Sequence, residues 1–381
     1  MDNIRGIMDR FINARSNSIE QINKLKGKGT KLVGTYCTFS PVEIILASGA
    51  KPIRLCNINE SYLIEGEIYL PRNLCQIVKS SYGEAVSGAS PYFESVDLII
   101  GETTCDGKKK MFEYLNDIKP TFIMQLPQRS QGEKEYILWK SEIERLKETL
   151  EKQFDTKITD NMIRNSIKTK NEERMLLKEL HKSWIDNPTL LSALDIYTVL
   201  HNFNHRMDNR LALEDVSELI KAIKKVPALN IKQNNNTPKI LVTGCHLGEK
   251  TEGIVNIIEE VGGDVIYIDT CDWVKDSEDL VREDIDPFEA LAKKYLKIAC
   301  PVMTPNYYRF DLISKVIDDY EIDGVINLFY QACLTFSVES VPLKKYVTKE
   351  KNIAYMDIET NLTQSDIGRL RTRIEAFIEM M

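Results

Sequence analysis

The stretch KILVTGCHLGEKTEGIVNIIEEVGGDVIYIDT (239–270) decides the fold. It opens on a short apolar run, KILVTG (239–244), and turns through a glycine-containing loop. It continues as TEGIVNIIEEVG (251–262), apolar at helical spacing, and closes on a second apolar run, DVIYIDT (264–270). Short apolar runs bounded by turns read as buried strands, and the helical spacing reads as an amphipathic helix. Strand, helix and strand in succession imply a parallel sheet with crossover helices. Toward the C-terminus the alternation goes on: RFDLISKVIDDYEI (309–322) as helix, GVINLFY (324–330) and IAYMDIE (353–359) as strands, and a last helix from SDIGRL onward.

Upstream the same pattern recurs. KLVGTYC (31–37) reads as a buried strand and KPIRLC (51–56) as a second one. Between them SPVEIILASGA (40–50) reads as a helix with Ser40 as N-cap, Pro41 at its first position and Gly49 near its end. A helix around LCQIVKSSYGEAV, a strand VDLIIGETT (96–104), a helix from Gly107 to Asp117 and a strand TFIMQLP (121–127) follow. Residues 1–26 read as one amphipathic helix. From about 130 to 227 long charged helices take over, with no strand between them, and the polar IKQNNNTP (231–238) reads as a linker. The expected architecture is two doubly wound, Rossmann-like α/β domains. An N-terminal domain spans 1–130, a helical segment over 131–230 packs on or bridges the domains, and a C-terminal domain spans 239–381.

At 381 residues, 43% apolar and 28% charged, the chain is long enough for two cores. Its net charge of −7 has the wrong sign for neutralising a phosphate backbone, so nucleic acid is not an expected partner. No apolar run near the start resembles a secretory signal, and none anywhere is long enough to span a membrane. A cytoplasmic protein is expected. In a reducing compartment its eight cysteines are metal-binding, catalytic or buried rather than disulfide-paired.

No CxxC or similar compact metal signature occurs, so spacing alone points to no cluster. Position along the strands says more: Cys105, Cys245, Cys271 and Cys333 each follow a predicted strand, where open α/β sheets place their ligands. The competing reading is that they are small core hydrophobes. TGCHLGEKTEG (243–253) matches neither phosphate-binding glycine pattern and reads as a tight strand-to-helix turn. His201 and His205 stand four apart, yet no glutamate completes a zinc motif, and they read as solvated helix positions. The lysine runs 24–31 and 108–110 read as solvated faces.

Several phrases carry a family resemblance: GTYCTFSPVEIILASGAKPIRLC, LPRNLCQIVKSSYG, SPYFESVDLIIGETTCDGKKKMFEYL, CPVMTPNYYRFDLI, DGVINLFYQAC and YMDIETNLTQSDIGRLRTRIEAFIE. In this order they resemble the 2-hydroxyacyl-CoA dehydratase and benzoyl-CoA reductase family. GETTCDGKKK and MTPN are most similar to its double-cubane cluster branch. The resemblance implies an oxygen-sensitive iron–sulfur enzyme of two α/β domains. By motif, the cluster ligands are Cys75 in RNLC, Cys105 in TTCD and Cys333 in YQAC, and one iron of a [4Fe–4S] cluster is left without a cysteine. It implies radical dehydration of a 2-hydroxyacyl-CoA started by a low-potential electron. It further implies a second copy or a homologous subunit and a separate ATP-hydrolysing iron–sulfur activator, for this chain has no Walker lysine motif.

Glu43 in SPVE matches a family glutamate near the cluster. It reads either as a general acid or base or as a first-turn residue favoured by the helix dipole. In the double-cubane branch the segment before PYF carries a cysteine, and here Ser90 stands there. Cys245, Cys271 and Cys300 remain in phrases where that branch has cysteine, as possible additional ligands. Serine oxygen is a poor substitute for thiolate on iron, so a single cubane is favoured over a double-cubane [8Fe–9S] cluster. Two other activities stay open: an ATP-dependent reductase of small molecules, and a non-catalytic iron–sulfur carrier or scaffold.

Overall fold

The computed structural model describes residues 2–56, 58–187, 191–225, 237–271, 274–361 and 364–381, so 231–236 of the expected linker lie outside the described residues. Eight strands form two separate four-stranded parallel sheets. The first consists of β1 (Leu32–Thr35), β2 (Lys51–Arg54), β3 (Leu98–Glu102) and β4 (Thr121–Met124), in the order β2-β1-β3-β4. The second consists of β5 (Lys239–Gly244), β6 (Asp264–Asp269), β7 (Gly324–Tyr330) and β8 (Ala354–Thr360), in the equivalent order β6-β5-β7-β8. The expected α/β class with doubly wound sheets is what the chain adopts.

Strands β1, β3 and β7 are buried at every position because helices cover both faces of each sheet, which is why they read as unbroken apolar runs. The outer strand β2 accommodates Pro52, whose missing N–H an edge tolerates. In each sheet the chain winds first to one side and then to the other. The reversal falls between β1 and β3 and between β5 and β7, opening a crevice at their carboxyl ends.

The helical segment serves both sheets. Trp139, Ile143 and Leu146 of the helix Glu133–Phe154 share a core with Val33 and Ile100 of the first sheet and with Leu291 of the helix Pro287–Tyr295. Leu177, Leu180 and Trp184 pack instead with Leu241 and Ile326 of the second sheet. One helix, Asp160–Asp186, supplies Ile163 and Ile167 to the first core and Leu177 and Leu180 to the second. Its 27 residues make a rod about 40 Å long, enough to reach across both.

Some expectations are corrected. Residues 1–26 form two helices, Asp2–Ile12 and Ala14–Gly27, interrupted at Asn13, whose side-chain amide donates to Asp9 O at 2.8 Å. The helix after β1 runs Val42–Ala47 with Pro41 as its N-cap, because the Ser40 hydroxyl is turned to the Glu102 carboxylate. The helix Glu60–Tyr69 was not legible: it leaves Ile64, Ile68 and Tyr69 exposed, so it has no inward apolar stripe. It is held by backbone proximity. A Cβ on Gly83 of the helix Gln76–Val86 would lie 1.7 Å from Tyr62 O, and one on Gly66 would lie 2.0 Å from Lys79 O. The helix Leu334–Lys345 was hidden similarly by Pro342 and by the exposed Leu334, Val338 and Val341. Among the described residues no helix is long and apolar enough to cross a membrane.

Candidate functional site

Six of the eight cysteines stand just past the carboxyl ends of strands: Cys37, Cys56 and Cys105 after β1, β2 and β3, and Cys245, Cys271 and Cys333 after β5, β6 and β7. The two sheets thus carry thiols at equivalent positions. The sequence reading places Cys37 and Cys56 as the last residues of their strands; the structure places both just beyond them. All eight cysteines are free thiols.

Three of them meet across the two sheets. The Sγ atoms of Cys245 and Cys333 are 3.8 Å apart, and Cys75, from the first half of the chain, also donates its thiol to Cys333. Local backbone delivers them. Gly244 has φ +142°, and a Cβ there would sit 1.9 Å from Leu328 O, so only glycine lets β5 turn against β7 to present Cys245. Ala332, at φ +62°, makes the corresponding turn before Cys333 in a region that costs a non-glycine residue about 1–2 kcal/mol.

Cys75, Cys105 and Cys333 are the N-cap residues of the helices Gln76–Val86, Asp106–Asn116 and Leu334–Lys345. A helix N-terminus favours thiolate over thiol. Hydrogen bonds from Cys245 and Cys75 pull the Cys333 thiol well below its ordinary range against the opposing effect of burial, and the Phe336 N–H assists. The hydrogen bond to Cys333 pushes Cys75 up, and burial followed by the same partner pushes Cys245 up.

Of the expected ligands, then, the structure brings Cys75 and Cys333 together, and Cys245 with them. Cys105 is placed instead with Cys37 and Cys56 around Lys108, although its helix start adjoins that of Cys75: a Cβ on Gly107 would be 3.0 Å from Leu74 Cδ1. Burial works against the Lys108 charge, but the three thiols and Glu102 outweigh it and raise its pKa. Lys108 Nζ donates to Tyr36 O at 2.9 Å. Cys271 and Cys300 form a third neighbourhood beside Lys275, whose Nζ is 3.9 Å from Cys271 Sγ. Burial and then Cys271 push the Cys300 thiol up to about 12.

Among the described residues no three His, Cys, Asp or Glu side chains are arranged to hold a single metal ion. A cubane is a different demand, since each of its thiolates binds its own iron and the sulfurs need not converge on one point. The donor set fits such a group: soft thiols at helix N-termini, contributed from both halves of the chain, with the Cys333 thiol shifted toward the thiolate by its neighbours' hydrogen bonds.

Beside Cys37 lies a cleft of about 100 Å³, partly open to solvent, whose wall includes Ser40, Lys51, Arg54, Lys170, Glu173 and Tyr295. Its floor is tied to the second sheet through the Cys271 carbonyl, which accepts from Thr38 Oγ1 and from Arg54 Nη2, each at 2.9 Å. Two carboxyls stand behind hydroxyls of this wall. Glu43 is fully buried and accepts from Tyr295 OH and from Arg174 Nη2, each at 2.7 Å. Arg174 also bridges to Asp276 at 3.0 Å, which Lys294 meets at 2.6 Å. Burial alone would raise the Glu43 carboxyl, but Arg174 and Lys294 hold it below its ordinary value. Glu43 is therefore the anion of a buried charge network, more than a first-turn dipole partner.

Glu102, at the end of β3, is the opposite case. It too is fully buried, Oε1 is bonded to the Ser40 hydroxyl, and Oε2 has no hydrogen-bond partner among the described residues. Burial pushes its pKa up to about 7 against the Ser40 bond and the Lys108 charge. Sequence reasoning passed over Glu102. Its signal was a carboxylate ending a fully buried strand.

Other expectations are revised. His201 and His205 are not both solvated: His205 is buried, and the ring of half-buried His201 lies 5.7 Å from that of His205 and 5.2 Å from that of His246. Of the lysine run 108–110, Lys109 and Lys110 pair at the surface with Asp106 and Glu113 while Lys108 turns inward. Ser90 is a buried N-cap, accepting from Phe93 N at 3.3 Å and donating to Glu84 Oε1 at 2.5 Å.

The model of the 2-hydroxyglutaryl-CoA dehydratase D-component family matches residues 37–381. The chain is 40% identical over 375 residues to the candidate dehydratase subunit YjiM of Escherichia coli (strain K12), covering 98% of both chains. It is 22% identical to the (R)-phenyllactyl-CoA dehydratase beta subunit of Clostridium sporogenes, over 98% of this chain and 99% of that one. It is 24% identical to the lactoyl-CoA dehydratase subunit beta of Anaerotignum propionicum over the full length of both.

Proposed function

The chain belongs to the 2-hydroxyglutaryl-CoA dehydratase D-component family, and from that premise we propose that it is an iron–sulfur subunit of a 2-hydroxyacyl-CoA dehydratase. The observation that carries this reading is the contact group of Cys75, Cys245 and Cys333, drawn from both halves of the chain, in which Cys333 accepts from the other two thiols. Cys75, Cys105 and Cys333 are the proposed ligands, with Cys245 in contact and Cys271 and Cys300 nearby. A bound [4Fe–4S] cluster would supply the low-potential electron that turns the 2-hydroxyl of a thioester into a leaving group.

The chain's own residues do the rest. Lys108 and Lys275 would offset the negative charge that the surrounding thiols take on when they bind iron. Lys51 and Arg54 line the cleft as cations, while Lys170 is paired there with Glu173, and the two cations suit the polarised carbonyl and anionic groups of an acyl thioester. The proposed partners are a second copy or a homologous subunit, an acyl-CoA substrate, and a separate ATP-hydrolysing iron–sulfur activator, in the cytoplasm.

A second reading, an ATP-dependent reductase carrying a linked double cubane, draws on the additional thiols Cys271 and Cys300 beside Lys275. One experiment addresses both. Protein purified without oxygen is analysed for iron, sulfide and its EPR spectrum, then supplied with a low-potential reductant and lactoyl-CoA, phenyllactyl-CoA or 2-hydroxyglutaryl-CoA. About four irons per chain and formation of the enoyl-CoA are expected. About eight irons would favour the double cubane, and a loaded protein inert toward all three thioesters would favour a carrier.

A further inference from the structure

Two carboxyls behind one cleft differ in every respect that matters for moving a proton. Glu43 meets the cleft through Tyr295, has both oxygens engaged and is fixed as an anion by Arg174. Glu102 meets it through Ser40, keeps Oε2 unpartnered and faces no guanidinium. Paired carboxyls whose surroundings drive their proton affinities apart are how a site divides acid from fixed charge. We propose that Glu102, acting through the Ser40 hydroxyl, is the proton reservoir of the dehydration, and that Glu43 only positions Tyr295. The proposal rests on the dehydratase reading above and deepens it.

The geometry suits a relay. A neutral Glu102 can donate to Ser40 Oγ, which frees the serine proton to point into the cleft. The groups facing the carboxyl are Ser40 and Cys37 from the loop after β1 and Lys108 from the helix Asp106–Asn116. Lys108 is turned toward the Tyr36 carbonyl and the thiols, and forms no ion pair with Glu102 among the described residues.

The proton account closes. Dehydration breaks the C2–OH and C3–H bonds and forms C2=C3. Glu102 gives its proton through Ser40 to the departing hydroxide, which leaves as water. The resulting carboxylate then takes the C3 proton by the same path and is neutral again. No net electron is consumed, because the electron lent to start the reaction is returned in each turnover.

The test uses the iron-loaded protein as wild type, Glu102→Gln and Ser40→Ala. Difference infrared spectroscopy of the wild type should show the carbonyl stretch of a neutral carboxylic acid at pH 6. That band should fade as pH rises through about 7, and it should be missing from Glu102→Gln. With unchanged iron content, Glu102→Gln should turn over the thioesters about a hundredfold more slowly or worse, and its residual rate should lack the decline through neutrality. Ser40→Ala should keep the infrared band and lose turnover. This variant also keeps the idea testable if Glu102→Gln does not fold. An absent band, or either variant turning over like the wild type, would overturn the assignment. A loaded wild type inert toward all three thioesters would instead overturn the dehydratase reading on which it stands.

Discussion

At the scale of single residues, the chain separates two glutamates by what surrounds them. The ion pair of Glu43 with Arg174 is almost fully shielded, their side chains being 0% and 1% exposed. Replacing Arg174 with methionine strands Glu43 and leaves Asp276 to Lys294 alone, and breaking such a pair from one side costs about 3–5 kcal/mol. A loss of that size should appear in denaturant unfolding at neutral pH; a variant within about 1 kcal/mol of wild type would contradict the network. The signs with pH are opposite for the two groups. Glu43 has a lowered affinity for protons, so its stabilisation is present above the ordinary 4.5 and is lost as pH falls below it. Glu102 has a raised one, so its burial is least costly below 4.5 and becomes destabilising as pH climbs to about 7. Arg174→Met should therefore flatten the acid limb of a stability profile and leave the neutral limb unchanged.

At the scale of elements, the thiols depend on helix placement. Cys75 caps a helix whose partner, Glu60–Tyr69, contributes almost no buried side chain and is seated through Gly66 and Gly83. Gly83→Ala would drive a methyl into the Tyr62 carbonyl, 1.7 Å from its Cβ position, and the helices must separate. Overpacking of this kind costs roughly 1–3 kcal/mol and should displace Cys75 from Cys333. The expected outcome is a protein that folds but incorporates less iron, measured against Gly253→Ala, whose Cβ meets nothing within 4 Å. Equal iron content in the two variants would disprove the coupling. Ser90 belongs to this scale as well: whatever thiol a related chain carries there, in this one the position is a helix cap and a partner of Glu84.

At the scale of the whole molecule, two sheets of one strand order carry thiols at equivalent strand ends, and the contact group takes Cys75 from one half of the chain and Cys245 and Cys333 from the other. A group bound there ties together segments more than 250 positions apart in sequence, as Cys75 and Cys333 show. Anything that binds the folded state alone stabilises it by mass action. Iron-loaded protein should consequently melt well above protein stripped by a chelator, and Cys333→Ser should melt at the same temperature with or without iron. Coincident melting of loaded and stripped wild type would place the iron away from this junction.

Sequence by itself determined the α/β class, all eight strands, seven of them to within two residues at both ends, and the strand-end position of four thiols, because continuous apolar runs and helical periodicity are local consequences of being covered on both faces. IAYMDIE and GVINLFY are found where they were read, as β8 and β7. The family was legible too, in phrases that surround Cys75, Cys105 and Cys333. What only the tertiary structure decided is which groups share an environment. That Cys245 touches Cys333, that Lys108 turns inward while Lys109 does not, and that Glu43 is pushed toward the anion and Glu102 toward the acid all depend on neighbours such as Arg174 and Ser40. Those neighbours lie 131 and 62 positions away from the carboxyls they govern. Proton affinity and metal-binding geometry are set by charge and dielectric within a few ångströms, and no periodicity along the chain records that distance.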